Sequence, residues 1–569
     1  MLPAPSRHLA TLALVAAAVA CEAERVPVRT APPGGPDLAI ATAYVVQSTQ
    51  TPAFDVPLVA GKDAIARVWV TATGPATAAP LVRVSVYEGA TLVGMIAVPP
   101  PGPSVPAAVD EGDLASSWNG AIPGALIQPG RSIRIDVDSD RKILETDESN
   151  NAWPPSGAPR PLDVATVPPV RMRIVPVKTP DGLTGNATAT NLAYYTTLLQ
   201  RAWPVATVDA SLGSTFSASV SAAADGTGWS TILSEVSAKR AADGWSGYLY
   251  GAIATSYGGG VAGIGYVPGR AAIGWDKMRA GDPEGSSSSG VLAHEVGHNF
   301  GLSHAPGCSA GGPDPNYPYA GAVIGAYGLD VATGALKTPD LHDLMAYCSN
   351  NWVSDYNYRK VLGTLRAPGL AAEEPAPPAA DAPRAASPAS LLVWGREEGG
   401  VRTLEPAFHL PVPARPPPPG PERLTGLDAQ GRALFSVPFA LADATCASGP
   451  GAGFAFTVPL EAAEAAELAT LRWEAAGGPA IVRAQRTPAA RAGAAPSVEP
   501  ASGGAVRVTW SAEPGEVAMI RDVATGEVLG FGRGGAVELV PASGALELRL
   551  PAGGAARVHA LAVGGARPR

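Results

Sequence analysis

Three of the chain's seven histidines fall within eleven residues, HEVGHNFGLSH, spanning 294–304. On a helix, His294 and His298 stand four positions apart, so both imidazoles project from one face and can share a small ion. Gly301 then allows the chain to turn back, so that His304 can deliver a third nitrogen to the same point. Three neutral imidazoles around a tetrahedral ion such as zinc leave one position open, which marks a reactive site rather than a closed structural one. Glu295 follows the first histidine and points past the ion, where its carboxylate can take a proton from water and later return it to a leaving group. The chemistry read from these residues is metal-assisted hydrolysis. A lone HExxH also arises by chance on long helices, and a lone histidine is usually a satisfied polar residue. The glycine and third histidine in register set this window apart.

The window resembles the metzincin signature HExxHxxGxxH, which implies a methionine in a tight turn beneath the metal. HDLMAYC, residues 342–348, supplies one. By this resemblance Met345 is the floor methionine, and Tyr347 is a resting-state ligand or a donor to the oxyanion. Ala305, the residue after the third histidine, matches none of the common metzincin subgroups. The run from PNYPYAG to HDLMAYCSNNWVSDYNYR is similar to bacterial secreted peptidases of the mucin-cleaving, dictomallein-like kind, a likeness spanning residues 167–366. It implies a protein or glycoprotein substrate. Cys308 follows the last histidine and Cys348 follows the methionine, so the resemblance puts both on the rim of one site. In an oxidising compartment a Cys308–Cys348 disulfide is expected, leaving Cys446 unpaired. The alternatives are two free rim cysteines, or one acting as a zymogen switch.

These residues need elements to hold them, and the chain is long enough, at 569 residues, for several domains. Charged residues make up 16%, glycine and proline number 66 and 58, and the net charge is −9. That balance, with no basic cluster, gives no footprint for nucleic acid. The N-terminus reads as an export signal, Arg7 and His8 followed by LATLALVAAAVA. AVAC resembles a lipobox in which Cys21 becomes the lipidated first residue, with ordinary signal cleavage as the alternative. Under that resemblance, Glu22 suggests sorting to an outer membrane, so the membrane is a partner only through this anchor.

Residues 22–36 read as a tether. From 37 to 153, short alternating runs such as AIARVWVTA and SIRIDVD predict an Ig-like β-sandwich. Asp136, Asp138 and Asp140 alternate as calcium ligands might, but the loop lacks the glycine and terminal glutamate of a calcium loop, so a solvated turn is the better reading. Residues 154–168 read as a Pro-rich linker. Residues 169–368 predict a central α/β (α+β) catalytic domain with a mixed sheet, including helices over NLAYYTTLLQRAW and from 229 to 242. VAGIGYVPGRAAIGWD, 261–276, reads as one edge strand that could pair with extended substrate. SSSSG, 286–290, offers N-caps for the helix carrying His294. Tyr317, Tyr319 and Tyr327 are candidate pocket walls, with surface packing the equal alternative, and His342 is a spare, solvated or packing histidine. A Pro/Ala linker at 369–389, a β-rich module at 390–489 and a small β-sandwich at 490–569 complete the chain. His409 and His559 read as structural.

The expectation is therefore a multidomain, exported zinc peptidase with one catalytic zinc and flanking β modules. The alternative is an envelope-anchored adhesion or binding protein whose zinc site is inactive.

Overall fold

The computed structural model describes residues 34–73, 78–106, 108–277, 288–349, 351–367, 389–446, 449–475, 478–485, 495–513, 515–552 and 555–563. The signal segment with Cys21 and most of the linker at 369–389 lie outside the described residues, as does the side chain of Cys446. The protein is mostly β-sheet with few helices, and it is built from several packed units.

Alternating strands make the N-terminal unit. One sheet orders Asp37–Val46, Ala64–Thr73 and Trp118–Ile122; the other runs from Thr91–Val98 through Val82–Glu88 and Arg131–Val137 to Ala152–Trp153, with all these pairs antiparallel. Inward residues such as Val68, Val84, Trp118 and Ile135 fill the space between the sheets. Asp138 spends its carboxylate on the backbone N–H groups of Lys142 and Ile143, so it closes a turn instead of opening toward a cation. The expected linker at 154–168 is not an open tether. Arg160–Pro161 pairs with the sandwich at Ser132 and Ile133, and Val164–Ala165 runs parallel to Leu58–Val59.

The next unit is a mixed sheet ordered Val208–Leu212, Val170–Lys178, Tyr248–Ile253, Ala271–Trp275 and Gly263–Val267, with only the last strand antiparallel. Side chains alternate across it as a pleated strand requires. Met172, Ile174, Tyr250 and Ala272 face α1 (Leu192–Ala202) and α3 (Ser288–Asn299), whereas Val175, Val177, Leu249 and Ile273 face α2 (Trp229–Ala242). The predicted single strand over 261–276 is instead a hairpin, Gly263–Val267 and Ala271–Trp275, turning at Pro268–Gly269. A fourth helix, α4 (Asp355–Leu365), capped by the Ser354 side chain, closes the lower part of the unit.

The C-terminal strands do not stand apart. α2 is buried almost all round because Leu392, Trp394, Phe408, Met519 and Phe531 cover the side that the sheet leaves open. Two cross-pairings complete the attachment, Tyr266 with Ala444 and Ser217 with Gly530.

The sandwich is also bound to the central unit. Lys62, almost fully buried, donates from Nζ to the carbonyls of Gln200, Arg201 and Trp203 at 2.9, 3.2 and 2.5 Å. These are carbonyls that the C-terminal end of α1 leaves without helical partners.

Candidate active site

α3 is carried to the site by its neighbours. Trp203 donates from Nε1 to the Ala293 carbonyl at 2.9 Å, and Ser289 accepts from the Leu198 N–H at 3.0 Å, which fixes α3 to α1. At its C-terminal end, Asn299 donates from Nδ2 to the carbonyls of Tyr266 and Ala271 at 2.9 and 3.0 Å, tying the helix to the edge hairpin. Buried Asp276 accepts from the Tyr195 hydroxyl at 2.8 Å and from the Ser288 hydroxyl at the start of the helix. Residues 286 and 287 of the SSSSG stretch lie outside the described residues. Beyond Asn299 the chain reverses at Gly301, whose φ of 93° belongs to the left-handed region that favours glycine.

That reversal brings the three histidines together. The available nitrogens of His294, His298 and His304 all lie within 4.8 Å of one another. Each ring has its Nδ1 on a main-chain carbonyl: His294 on Leu344 at 2.8 Å, His298 on Leu302 at 2.8 Å and His304 on Gly311 at 2.5 Å. A neutral ring that donates from Nδ1 keeps a lone pair on Nε2. The Nε2 atoms of His298 and His304 are 3.1 Å apart, so two lone pairs face each other with no proton between them. Two nitrogens on one tetrahedral zinc stand roughly 3.3 Å apart, given Zn–N bonds of about 2.05 Å. The donor set therefore fits zinc. Burial lowers all three rings, His294 to about 3, His298 well below the ordinary histidine range and His304 below it, which favours the neutral, ligating form.

Glu295 lies beside this point, and burial pushes its carboxyl well above the usual carboxylate range. Its Oε2 has no hydrogen-bond partner among the described residues, although it is buried. Gly263 on the edge strand makes room for it, since a Cβ there would collide with the carboxylate. A buried carboxyl without a partner is costly unless a cation or water completes its surroundings.

Met345 is fully buried next to α3, and a Cβ built on Gly297 would meet its sulfur at 2.5 Å. The turn holding Met345 is organised by Asp343, a residue to which no local sequence pattern points. Its buried carboxylate accepts from the Met345 N–H at 2.8 Å, the Ser354 N–H at 2.9 Å and the Asn357 amide at 2.9 Å. The Ala305 N–H donates to the Met345 carbonyl at 3.0 Å, joining the turn to the segment that carries the last histidine. Tyr347 is 42% exposed, with its ring centroid 4.7 Å from that of His304 and 5.9 Å from that of His294.

Cys308 and Cys348 form a disulfide on the rim, and His342 stands next to it, outside the histidine triad. A cleft of about 300 Å³ opens over the site, with Val261, Trp275, Val291 and Leu344 as apolar walls. The candidate wall residues Tyr317, Tyr319 and Tyr327 are elsewhere. Tyr317 donates to the Val323 carbonyl, Tyr319 to Asp355 on α4, and the Tyr327 carbonyl accepts from Gln50 of the sandwich. His409 lies among the C-terminal strands with its Nε2 on the Leu460 carbonyl.

The sequence profile of Peptidase M66 matches residues 279–347, and that of the Metallo-peptidase family M12B, Reprolysin-like, matches residues 215–305. Together with the histidine cluster, these matches define a metzincin-like zinc metallopeptidase region. The protein is a zinc metalloendopeptidase, zinc is its cofactor and proteins are its substrate class. No curated protein matches the chain at a significant level. Among solved structures, the CARDB domain of a Pyrococcus furiosus protein, in complex with di-metal ions, is similar at 21% identity over 23% of this chain and 90% of that one, with a TM-score of 0.14.

Proposed function

We propose that this protein is an exported endopeptidase that cleaves extracellular proteins or glycoproteins, with His294, His298 and His304 as zinc ligands and Glu295 as the general base. The observation that carries the reading is the convergence of three neutral imidazoles on one point beside a buried, unpartnered carboxyl. Bound zinc supplies a Lewis acid that polarises the scissile carbonyl and acidifies water. Glu295 takes the proton of the attacking water and delivers it to the leaving amine. Tyr347, exposed beside the His304 ring, is read as the donor to the oxygen that gains charge. Met345 packs beneath the rings, and the Cys308–Cys348 bridge holds its turn to the segment after His304. The mixed sheet with α1 and α3 on one face supports a metzincin-like upper half, whose edge strand aligns extended substrate.

The glycoprotein preference rests on the resemblance of residues 167–366 to mucin-cleaving peptidases, and export with anchoring at Cys21 rests on the leader and the AVAC segment. Glu295→Gln tests the chemistry. The variant should bind zinc as the wild type does and lose about 10²- to 10⁴-fold in casein or mucin hydrolysis. Undiminished hydrolysis would remove Glu295 from the mechanism. The adhesion alternative, with an inactive zinc site, requires wild type and variant to be equally inert.

A further inference from the structure

We infer that the C-terminal hairpin Ala442–Cys446/Gly449–Pro459 forms the end wall of the substrate cleft and limits how many residues before the scissile bond can be held. The inference rests on the peptidase reading above and adds a specificity element contributed by the C-terminal strands.

The edge strand Gly263–Val267 has two sides. Its inner side pairs with Ala271–Trp275, Gly263 opposite Gly274, Ile264 opposite Ile273 and Gly265 opposite Ala272. A free outer side is what an extended peptide needs, because unpaired main-chain groups there accept a further strand. That side is only partly free. Tyr266 pairs with Ala444 and Val267 with Asp443, both antiparallel. The hairpin is pinned at this point, because Tyr266, Ile264 and Ala444 share one core and a Cβ on Gly453 would collide with the Tyr266 hydroxyl.

Direction decides the consequence. A peptide added antiparallel, as the hairpin strand itself is, runs opposite to the numbering of Gly263–Val267. Its residues before the scissile bond then extend from Gly263, which lies against Glu295, toward Tyr266. Antiparallel pairing sets one peptide residue opposite each strand residue, and the same register brings Thr445 opposite Gly265, so Gly263 and Ile264 remain, with room for about two residues. The hairpin strand also heads back along the edge as it proceeds from Ala444 to Cys446, which narrows that side further. On the other side of the catalytic carboxyl the cleft continues past Ala262, Val261 and Gly260. Recognition is therefore weighted toward residues after the scissile bond.

The test is a set of synthetic peptides with one scissile bond and a constant C-terminal half, carrying one, two, three or five residues before that bond. With the zinc-loaded full chain, kcat/KM should rise from one to two residues and then stay within about twofold. An equal lengthening after the bond should raise it at least tenfold. A steady rise through five residues before the bond would overturn the inference and leave the peptidase reading intact. If wild type cleaves none of the peptides and no protein substrate either, both fall. Asp443→Pro, which removes a main-chain N–H at the exposed pairing position, provides a second measurement. Provided its thermal unfolding matches wild type, it should cleave the two-residue peptide normally and gain on the five-residue one; an unchanged length profile in that folded variant would overturn the inference. The wild-type length series decides the matter if the variant does not fold.

Discussion

Gly297 and Met345 occupy one space: the hydrogen at position 297 lets the methionine sulfur lie against α3 between the two turns that carry His294 and His298. A single added methyl therefore has to displace the sulfur, the Trp203 ring that also touches that point, or the helix. Gly297→Ala should cost about 1–3 kcal/mol, the usual penalty of overpacking a filled core. It should also lower zinc affinity, because the helix that moves is the one bearing two ligands. Thermal unfolding and metal content measured on the same preparation check both parts; a variant as stable and as zinc-loaded as wild type would show the contact to be soft.

Removal of zinc has an expected sign in stability as well as in activity. The facing Nε2 atoms of His298 and His304 repel without an ion between them, and binding to the folded state alone stabilises by mass action. A strong chelator should abolish hydrolysis and lower the unfolding temperature, and zinc should restore both. Calorimetry with and without chelator measures this, and an unfolding temperature indifferent to chelation would argue against a preformed site.

The Cys308–Cys348 bridge closes a loop of sequence separation 40. Chain-entropy arguments give about 3–4 kcal/mol for a loop of that length. Cys308→Ser with Cys348→Ser should lower stability by up to that amount and loosen the turn that holds Met345. Thiol titration gives an independent count. Two of the four cysteines are bridged and a lipid anchor consumes the Cys21 thiol, so the unreduced, unfolded anchored chain should show one reactive thiol, Cys446, and a chain made without export should show a second, Cys21.

Lys62 joins the sandwich to the end of α1. Burial pulls its ammonium down to about 7, while three helix-end carbonyls accept its protons and the negative end of the helix favours its charge. Lys62→Met removes a donor from all three; the Arg201 and Trp203 carbonyls keep the Ser48 hydroxyl and the Val205 N–H, but the Gln200 carbonyl loses its partner, and the change should destabilise by about 1–3 kcal/mol. The measurement is chemical unfolding of the full chain, with an unchanged midpoint as the contrary outcome. Low-temperature hydrolysis should be little altered, since Lys62 does not line the cleft.

Glu235 on α2 should make stability depend on pH. Burial raises its carboxyl to about 7, against the opposing pull of the Ser219 hydrogen bonds and Arg533. The folded chain then holds a proton that the unfolded chain, titrating near 4.5, has released. This contribution is complete below the unfolded value and is lost as pH rises through about 7. Glu235→Gln, which stays neutral, should therefore gain on wild type in unfolding temperature between about pH 5 and pH 8. A difference that does not change with pH would mean that Glu235 is ionised throughout.

Much of the catalytic region is legible in the sequence because its signals are local. The helix over 192–202, the strand at 170–178 and the three clustered histidines each follow from spacing within a dozen residues. Met345 and the disulfide are reached only through family resemblance. Asp343, Asp276, Asn299 and Trp203 give no such signal, because each is a lone polar or aromatic residue whose role appears only when its partner arrives from another element. The hairpin at 263–275 is readable in principle, since Val-Pro-Gly-Arg is a turn signal, but the same residues also fit punctuation within one edge strand. The C-terminal docking has no local signal at all: Tyr266 meets Ala444, and Ser217 meets Gly530, across separations that no pattern of period two encodes.

The enclosure of α2 has a practical corollary. Cutting the chain in the Pro/Ala linker would strip away Trp394, Phe408 and Phe531 and leave a wet, greasy helix whose Lys239 has lost the Val528 carbonyl that its ammonium otherwise reaches. The hydrolytic unit is thus not an excisable cassette. A recombinant fragment ending near residue 368 should precipitate or misfold, and the strands beyond the linker serve as scaffolding that the peptidase cannot do without.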